Sequence, residues 1–194
     1  MTFNCFALPQ FKAMHRALVR KSKFLSLILR HAPETIGLSL DANGWANVAE
    51  IIDRAPSQNM HYTRDEIDEI VATNEKRRFA LNSDGTKIRA SQGHSIAVDV
   101  ELPVLTPPEQ LYHGTAIRHL ASIQATGLRP GNRNHVHLSA DRETAIKVGQ
   151  RHGKPVVLTV LAQALSEAGT PFYQSANGVW LVDAVPVNYL QFPT

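Results

Sequence analysis

With 194 residues and 43% hydrophobic side chains, the chain can bury a core as one compact domain or two small lobes, which excludes wholesale disorder. Its single cysteine, Cys5, excludes an intramolecular disulfide and a cysteine-rich zinc site and fits a reducing, cytoplasmic setting. No apolar run approaches the roughly 18–20 residues of a membrane span, and the start lacks the apolar centre of a secretory signal, so no membrane partner is expected.

Net charge is only +3, but six cations (Lys12, Arg16, Arg20, Lys21, Lys23, Arg30) precede Glu34 with no acid among them. Such a run suits either a polyanion partner or a solvated helix face. Residues 1–15 carry little pattern and are expected to be a loose extension. From about Arg16 to Arg30, Leu18, Leu25, Ile28 and Leu29 fall at helical spacing, and Pro33 stops that helix. Arg30 and His31 then sit at its C-terminal end, where the dipole favours cations. Leu38 and Leu40 alternate like a short strand, and Asn43-Gly44 signals a turn. Asn47 with Glu50, and Thr63 with Glu66, read as caps of two further helices. Arg77-Arg78-Phe79-Ala80-Leu81, a turn at Asp84-Gly85 and Lys87-Ile88-Arg89 read as a basic β-hairpin. Three helices and then a hairpin is the element order of a winged helix, a module that binds nucleic acid or proteins.

Pro103, Pro107 and Pro108 mark 102–108 as a linker, which divides the chain into lobes 1–100 and 101–194. Beyond it, Leu111–His113, His135–Leu138, Pro155–Leu161, Phe172-Tyr173 and Val179–Val182 read as strands, with Asn177-Gly178 a tight turn. Helices are expected near Ile117–Ala125, ended by Gly127, and from an Asp141 cap to about Arg151. The fold class is therefore α+β.

Three clusters carry candidate chemistry: Arg30-His31, Arg77-Arg78, and His113-Gly114-Thr115 with Arg133 and His135-x-His137. His135 and His137 share a strand face and with His113 could form a three-histidine metal site. No carboxylate or thiolate supports them at ligand spacing, so no metal is expected. There is no Gly-rich dinucleotide or P-loop pattern and no nucleophile elbow. From Glu109 onward the chain holds five acids against seven Lys and Arg. A site rich in arginine and histidine and poor in acids suits phosphorylated substrates, because the guanidinium fork pairs with two phosphate oxygens and imidazole moves protons near neutrality. The same arginines could instead be surface ion-pair partners.

Several motifs resemble the RNA 2′-phosphotransferase family, and they recur in order over about Lys21 to Leu190. They are Ser22-Lys23-Phe24-Leu25 with Leu29-Arg30-His31; Asn43-Gly44-Trp45; Lys76-Arg77-Arg78-Phe79; Ile88-Arg89-Ala90 with Gln92-Gly93-His94-Ser95; Tyr112-His113-Gly114-Thr115; Arg133-x-His135-Val136-His137-Leu138-Ser139; and Asn177-Gly178-Val179-Trp180-Leu181. The resemblance implies a winged-helix lobe joined to an ADP-ribosyltransferase-like split-sheet lobe, with the active site between them. It implies NAD as co-substrate and an RNA bearing an internal 2′-phosphate as partner. The implied catalytic set is Arg30, His31, Arg78 and Arg133. The implied cofactor-binding set is His113, Gly114, Thr115, His137 and Ser139. RNA contacts are expected from Lys23, Arg77, Arg89 and His94, and the protein is expected to be monomeric. Two alternatives stay open: an ADP-ribosyltransferase that caps terminal nucleic-acid phosphates and stops there, and a winged-helix binder without catalysis.

Overall fold

The structure, a computed structural model, describes residues 7–74 and 76–193. The chain divides into two compact units, Met1–Val100 and Glu101–Thr194. Both mix helices with small antiparallel sheets, so the fold is α+β. No helix among the described residues is long and apolar enough to cross a membrane.

In the first unit, helix α1 spans Ala7–Arg30. It starts at Ala7 rather than near Arg16, which corrects the expected loose extension for residues 7–15; residues 1–6 lie outside the described residues. Pro9 did not forbid this, because the first turn of a helix has no use for its N–H. Leu25, Ile28 and Leu29 of α1 are fully buried. They pack with Ile51 of α2 (Val48–Arg54), Ile67 of α3 (Arg64–Thr73) and Phe79 and Ile88 of the sheet. That sheet comprises β1 (Ala46–Asn47), β2 (Phe79–Leu81) and β3 (Lys87–Ala90), in the order β1-β3-β2. The β2–β3 hairpin pairs Phe79 with Ala90 and Leu81 with Ile88, and Gly85 takes the left-handed φ of 72° that its turn needs.

Leu38 and Leu40 form no strand. Pro33 opens a 3-10 turn over Pro33–Ile36, Gly37 reverses the chain at φ 62°, and the Leu38 N–H donates to the Pro33 carbonyl at 2.9 Å. Leu38 is buried by that reversal, not by a sheet.

The caps hold α2 and α3. Asn47 accepts from the Ala49 N–H at 2.8 Å. Thr63 and Glu66 form a reciprocal capping box, and Glu66 also takes an ion pair from Lys21 of α1. The Lys21 ammonium and the Thr63 N–H hold the Glu66 carboxyl below its ordinary value. A depressed folded-state value stabilises the fold fully above the unfolded carboxyl's range (about 4.3) and is lost as pH falls through the folded value. Thr63→Ala should cost roughly 1 kcal/mol. Thermal melts at pH 7 and below pH 4 test both statements. An unchanged melting temperature for Thr63→Ala at pH 7 would contradict the capping role.

In the second unit, β4 (Gln110–Ala116), β6 (Pro155–Leu161) and β9 (Leu190–Gln191) form one antiparallel sheet in the order β4-β6-β9. A second sheet has the order β5-β8-β7, from β5 (Val136–Leu138), β7 (Tyr173–Gln174) and β8 (Trp180–Val182). The Tyr112 and Ser139 backbones exchange bonds of 2.9 and 2.8 Å and link β4 to the end of β5. Helices α4 (Leu120–Thr126), α5 (Arg142–Gly149) and α6 (Ala162–Glu167) complete the unit. Its core centres on Leu111, Leu158, Val160, Phe172 and Val182, all fully buried. The proline-rich stretch is not a free linker. Val104 pairs with Tyr173, the Leu105 N–H donates to the Phe172 carbonyl at 2.8 Å, and Pro107 is buried, so the segment belongs to the second unit.

Candidate functional site

In the first unit the structure brings Arg30, His31 and Arg78 together. Arg30 ends α1, and its Nη2 donates to the Arg78 carbonyl at 3.4 Å. His31 follows on the surface, with its Nδ1 3.0 Å from the Ser95 hydroxyl. The Ser95 N–H in turn donates to the Arg30 carbonyl at 3.0 Å, so Ser95 clasps the helix end and the imidazole at once. Arg78 arrives by an unusual route. Arg77, just before it, has φ 40°, a left-handed conformation that costs a non-glycine residue about 1–2 kcal/mol. The kink is held from both sides: the Arg77 N–H donates to the Asn74 carbonyl at 2.7 Å, and the Ser91 hydroxyl donates to the Arg77 carbonyl at 2.9 Å. The Arg78 guanidinium then meets the Asn74 side-chain oxygen at 3.5 Å.

Of the residues expected to face RNA, Lys23 and Arg77 are exposed. Lys23 lines one cleft together with Arg30 and Arg78. Arg89 lies over the Trp45 ring at 4.4 Å, and its Nη1 donates to the Asn43 carbonyl at 3.5 Å. His94 is 3% exposed and sits beside the Asn43-Gly44 turn, its Nε2 3.6 Å from where a Cβ on Gly44 would be. That burial makes it part of the turn's packing.

In the second unit, β4 carries His113, Gly114 and Thr115, and β5 carries His137. The His113 Nδ1 is 3.1 Å from the His137 carbonyl. A carbonyl only accepts, so Nδ1 holds the proton in this bond. Burial pushes the His113 pKa down, the carbonyl offsets part of that, and His152 nearby pushes it down further. His113 is therefore neutral near pH 7, with an acceptor lone pair on Nε2. The His137 Nδ1 is 3.0 Å from the His135 carbonyl, and Ser139 is pinned by its backbone exchange with Tyr112. Thr115 is buried. Gly114 is where α5 crosses β4: a Cβ there would lie 1.8 Å from the Ala145 carbonyl oxygen. Gly149 answers from the helix, where a Cβ would lie 2.6 Å from the Thr115 oxygen. Arg133 stands exposed on the loop before β5, its N–H 3.3 Å from the Pro130 carbonyl. Among the described residues, no three His, Cys, Asp or Glu side chains gather closely enough to hold a metal ion.

Residues 16–184 match the family model described as RNA 2′-phosphotransferase, Tpt1 / KptA family. The chain belongs to the RNA 2′-phosphotransferase family. Among its relatives, a protein of Hahella chejuensis is 59% identical over 177 residues, covering 91% of this chain and 95% of the relative. One of Streptomyces coelicolor is 57% identical, covering 90% and 95%. One of Burkholderia pseudomallei is 53% identical over the same shares. Each carries the name "Probable RNA 2′-phosphotransferase". Within this family member, sequence reasoning missed Asn74 as the hub beneath Arg78. The available signal was its place after the last turn of α3, where an Asn side chain bonds the backbone two residues on, here the Lys76 N–H at 3.1 Å.

Proposed function

We propose that this family member removes an internal 2′-phosphate from RNA by transferring it to the ADP-ribose part of NAD. In the first step a 2′-phosphate oxygen attacks the anomeric carbon of the nicotinamide ribose. The carbon–nitrogen bond breaks, and nicotinamide leaves with its electron pair. In the second step the neighbouring 2″-hydroxyl attacks the phosphorus and expels the RNA 2′-oxygen. The hydroxyl proton ends on the RNA, giving 2′-OH RNA and ADP-ribose 1″,2″-cyclic phosphate. A phosphate dianion is already a nucleophile and needs no carboxylate base, which fits an acid-poor site.

Arg30, His31, Arg78 and Arg133 form the catalytic set of this reading. The guanidinium groups stabilise charge that builds on the phosphoryl oxygens, and His31 carries the proton exchanged in the second step. His113, Gly114, Thr115, His137 and Ser139 form the dinucleotide-binding set. The neutral His113 offers its Nε2 as acceptor to a ribose hydroxyl. The element order α1, α2, α3 and hairpin supports a winged-helix reading of the first unit. The pair of three-stranded sheets supports an ADP-ribosyltransferase-like reading of the second.

The observation that carries the proposal is the gathering of Arg30, His31 and Arg78 around one clasped helix end. Incubation with NAD and RNA bearing one internal 2′-phosphate should release one nicotinamide for each 2′-phosphate lost. RNA with a plain 2′-OH should release none. Nicotinamide release that leaves a stable ADP-ribosyl adduct as the final product would favour the capping alternative instead. No step calls on a metal, so EDTA should leave the rate unchanged, and loss of activity restored by zinc would revive a histidine-bound metal.

A further inference from the structure

A winged helix would be expected to present α3 to nucleic acid, but the charge on α3 opposes it. Arg64–Thr73 holds four carboxylates (Asp65, Glu66, Asp68, Glu69) against one cation, 1 − 4 = −3. Two of the four are engaged locally, Glu66 by Lys21 and Asp68 by Arg64. The helix stays net acidic and repels phosphates.

The basic surface lies elsewhere. A cleft of about 610 Å³ opens between α1 and the C-terminal end of α3. Along α1 its lining runs Leu18, Ser22, Ser26, Arg30, each four residues from the last, so the four share one helix face. Its character changes from apolar through hydroxyl to cationic over roughly 18 Å. Lys23, Lys76 and Arg78 add positive charge, and no carboxylate among the described residues lines it. Its polar floor is organised: Asn74 Nδ2 donates to the Ser22 hydroxyl at 3.4 Å, and Asn74 Oδ1 accepts from Arg78 Nη1 at 3.5 Å. Arg30 and Arg78 thus belong both to this cleft and to the phosphate cluster. The volume falls within the roughly 300–1,000 Å³ of ligand sites, room for a nucleotide and far too little for a duplex.

We infer that this cleft seats the unpaired RNA strand flanking the 2′-phosphate, with backbone at the Arg30–Arg78 end, hydroxyl contacts at Ser22 and Ser26, and a base against Leu18, Val19 and Ile70. The inference deepens the function proposed above and rests on it for the identity of the strand. It makes the protein a single-strand reader on a fold associated with duplex grooves, combining cationic steering with apolar base contact.

The test is fluorescence anisotropy, without NAD, using a labelled single-stranded RNA with one internal 2′-phosphate. Ser26→Asp and the exposed-site Val19→Asp each place a carboxylate in the cleft. Both should weaken binding at least about tenfold, with the parent's melting temperature and unchanged KM for NAD. Annealing a complementary strand across the flanking nucleotides should weaken binding similarly. Val19→Asp binding as tightly as the parent at unchanged melting temperature, or a duplexed substrate binding as well as the single strand, overturns the inference. The two readings fail separately. RNA turnover with normal binding by the cleft variants sinks the cleft alone. Cleft-dependent binding without nicotinamide release sinks the reaction alone.

Discussion

Arg78→Ala should convert the enzyme into one that accumulates ADP-ribosylated RNA. In the proposed reaction the first step expels a neutral leaving group from a sugar carbon, and phosphate supplies the nucleophile, so the Arg78 guanidinium contributes little there. In the second step a five-coordinate phosphorus gathers charge on its oxygens, and a fixed donor matters most. Removing one such preorganised donor costs on the order of 10²–10³ in rate. Quenched reactions resolved on denaturing gels should therefore show nicotinamide release within a few-fold of the parent and a slow-migrating adduct that decays far more slowly. Arg78→Lys should recover only part of the loss, because a point charge lacks the two-pronged fork. Parent-like decay of the adduct in Arg78→Ala would refute the role assigned to it. The substitution removes the guanidinium's bond to the Asn74 side chain but keeps the backbone bonds of this segment, from the Ser91 hydroxyl to the Arg77 carbonyl and from the Ser91 N–H to the Arg78 carbonyl.

Gly114→Ala should be the most damaging single-methyl change in the second unit. The added Cβ would sit 1.8 Å from the Ala145 carbonyl oxygen, 2.7 Å from its carbon and 2.9 Å from the Gly149 nitrogen. All three are backbone atoms, so no rotamer change relieves the clash. Helix α5 has to lift off β4, and the buried Ala145 loses its contact with the strand. Overpacking of this kind costs more than about 3 kcal/mol, which corresponds to roughly 12 °C or more in melting temperature for a unit of this size. If His113 and Thr115, which flank the position, hold the dinucleotide as proposed, NAD affinity should fall with it. A Gly114→Ala variant melting close to the parent would show that the helix and strand are not in the contact described.

Much of this was legible in the sequence, for identifiable reasons. The Thr63/Glu66 box, the Asn47 and Asp141 caps and the Asp84-Gly85 turn are local chemistry, complete within a few residues, and the structure forms them where the side chains say. Pro155–Leu161 is a continuous β-branched and aliphatic run, and it became the central strand of its sheet with both neighbours paired. What was hidden depends on distant partners. Leu38 and Leu40 alternate like a strand, but the turn from Pro33 to Gly37 reverses the chain there and neither residue joins a sheet. Strand β9 is two residues long and exists only because Thr159 and Val160 lie opposite. The sequence placed Arg30 and Arg78 in separate motifs, 48 residues apart. The place of Asn74 after α3 was readable locally, but that it would sit beneath Arg78, and that Ser95 would clasp the Arg30 end, was not. His94 shows the converse: it was expected among the RNA contacts, and packing against the distant Gly44 turn buries it.

The fate of the phosphorus tests the central claim most directly. RNA carrying a single ³²P-labelled internal 2′-phosphate, incubated with the protein and NAD, should pass its label into ADP-ribose 1″,2″-cyclic phosphate while the RNA regains a 2′-hydroxyl. Label recovered as inorganic phosphate, or label still attached to RNA after NAD is consumed, would contradict it.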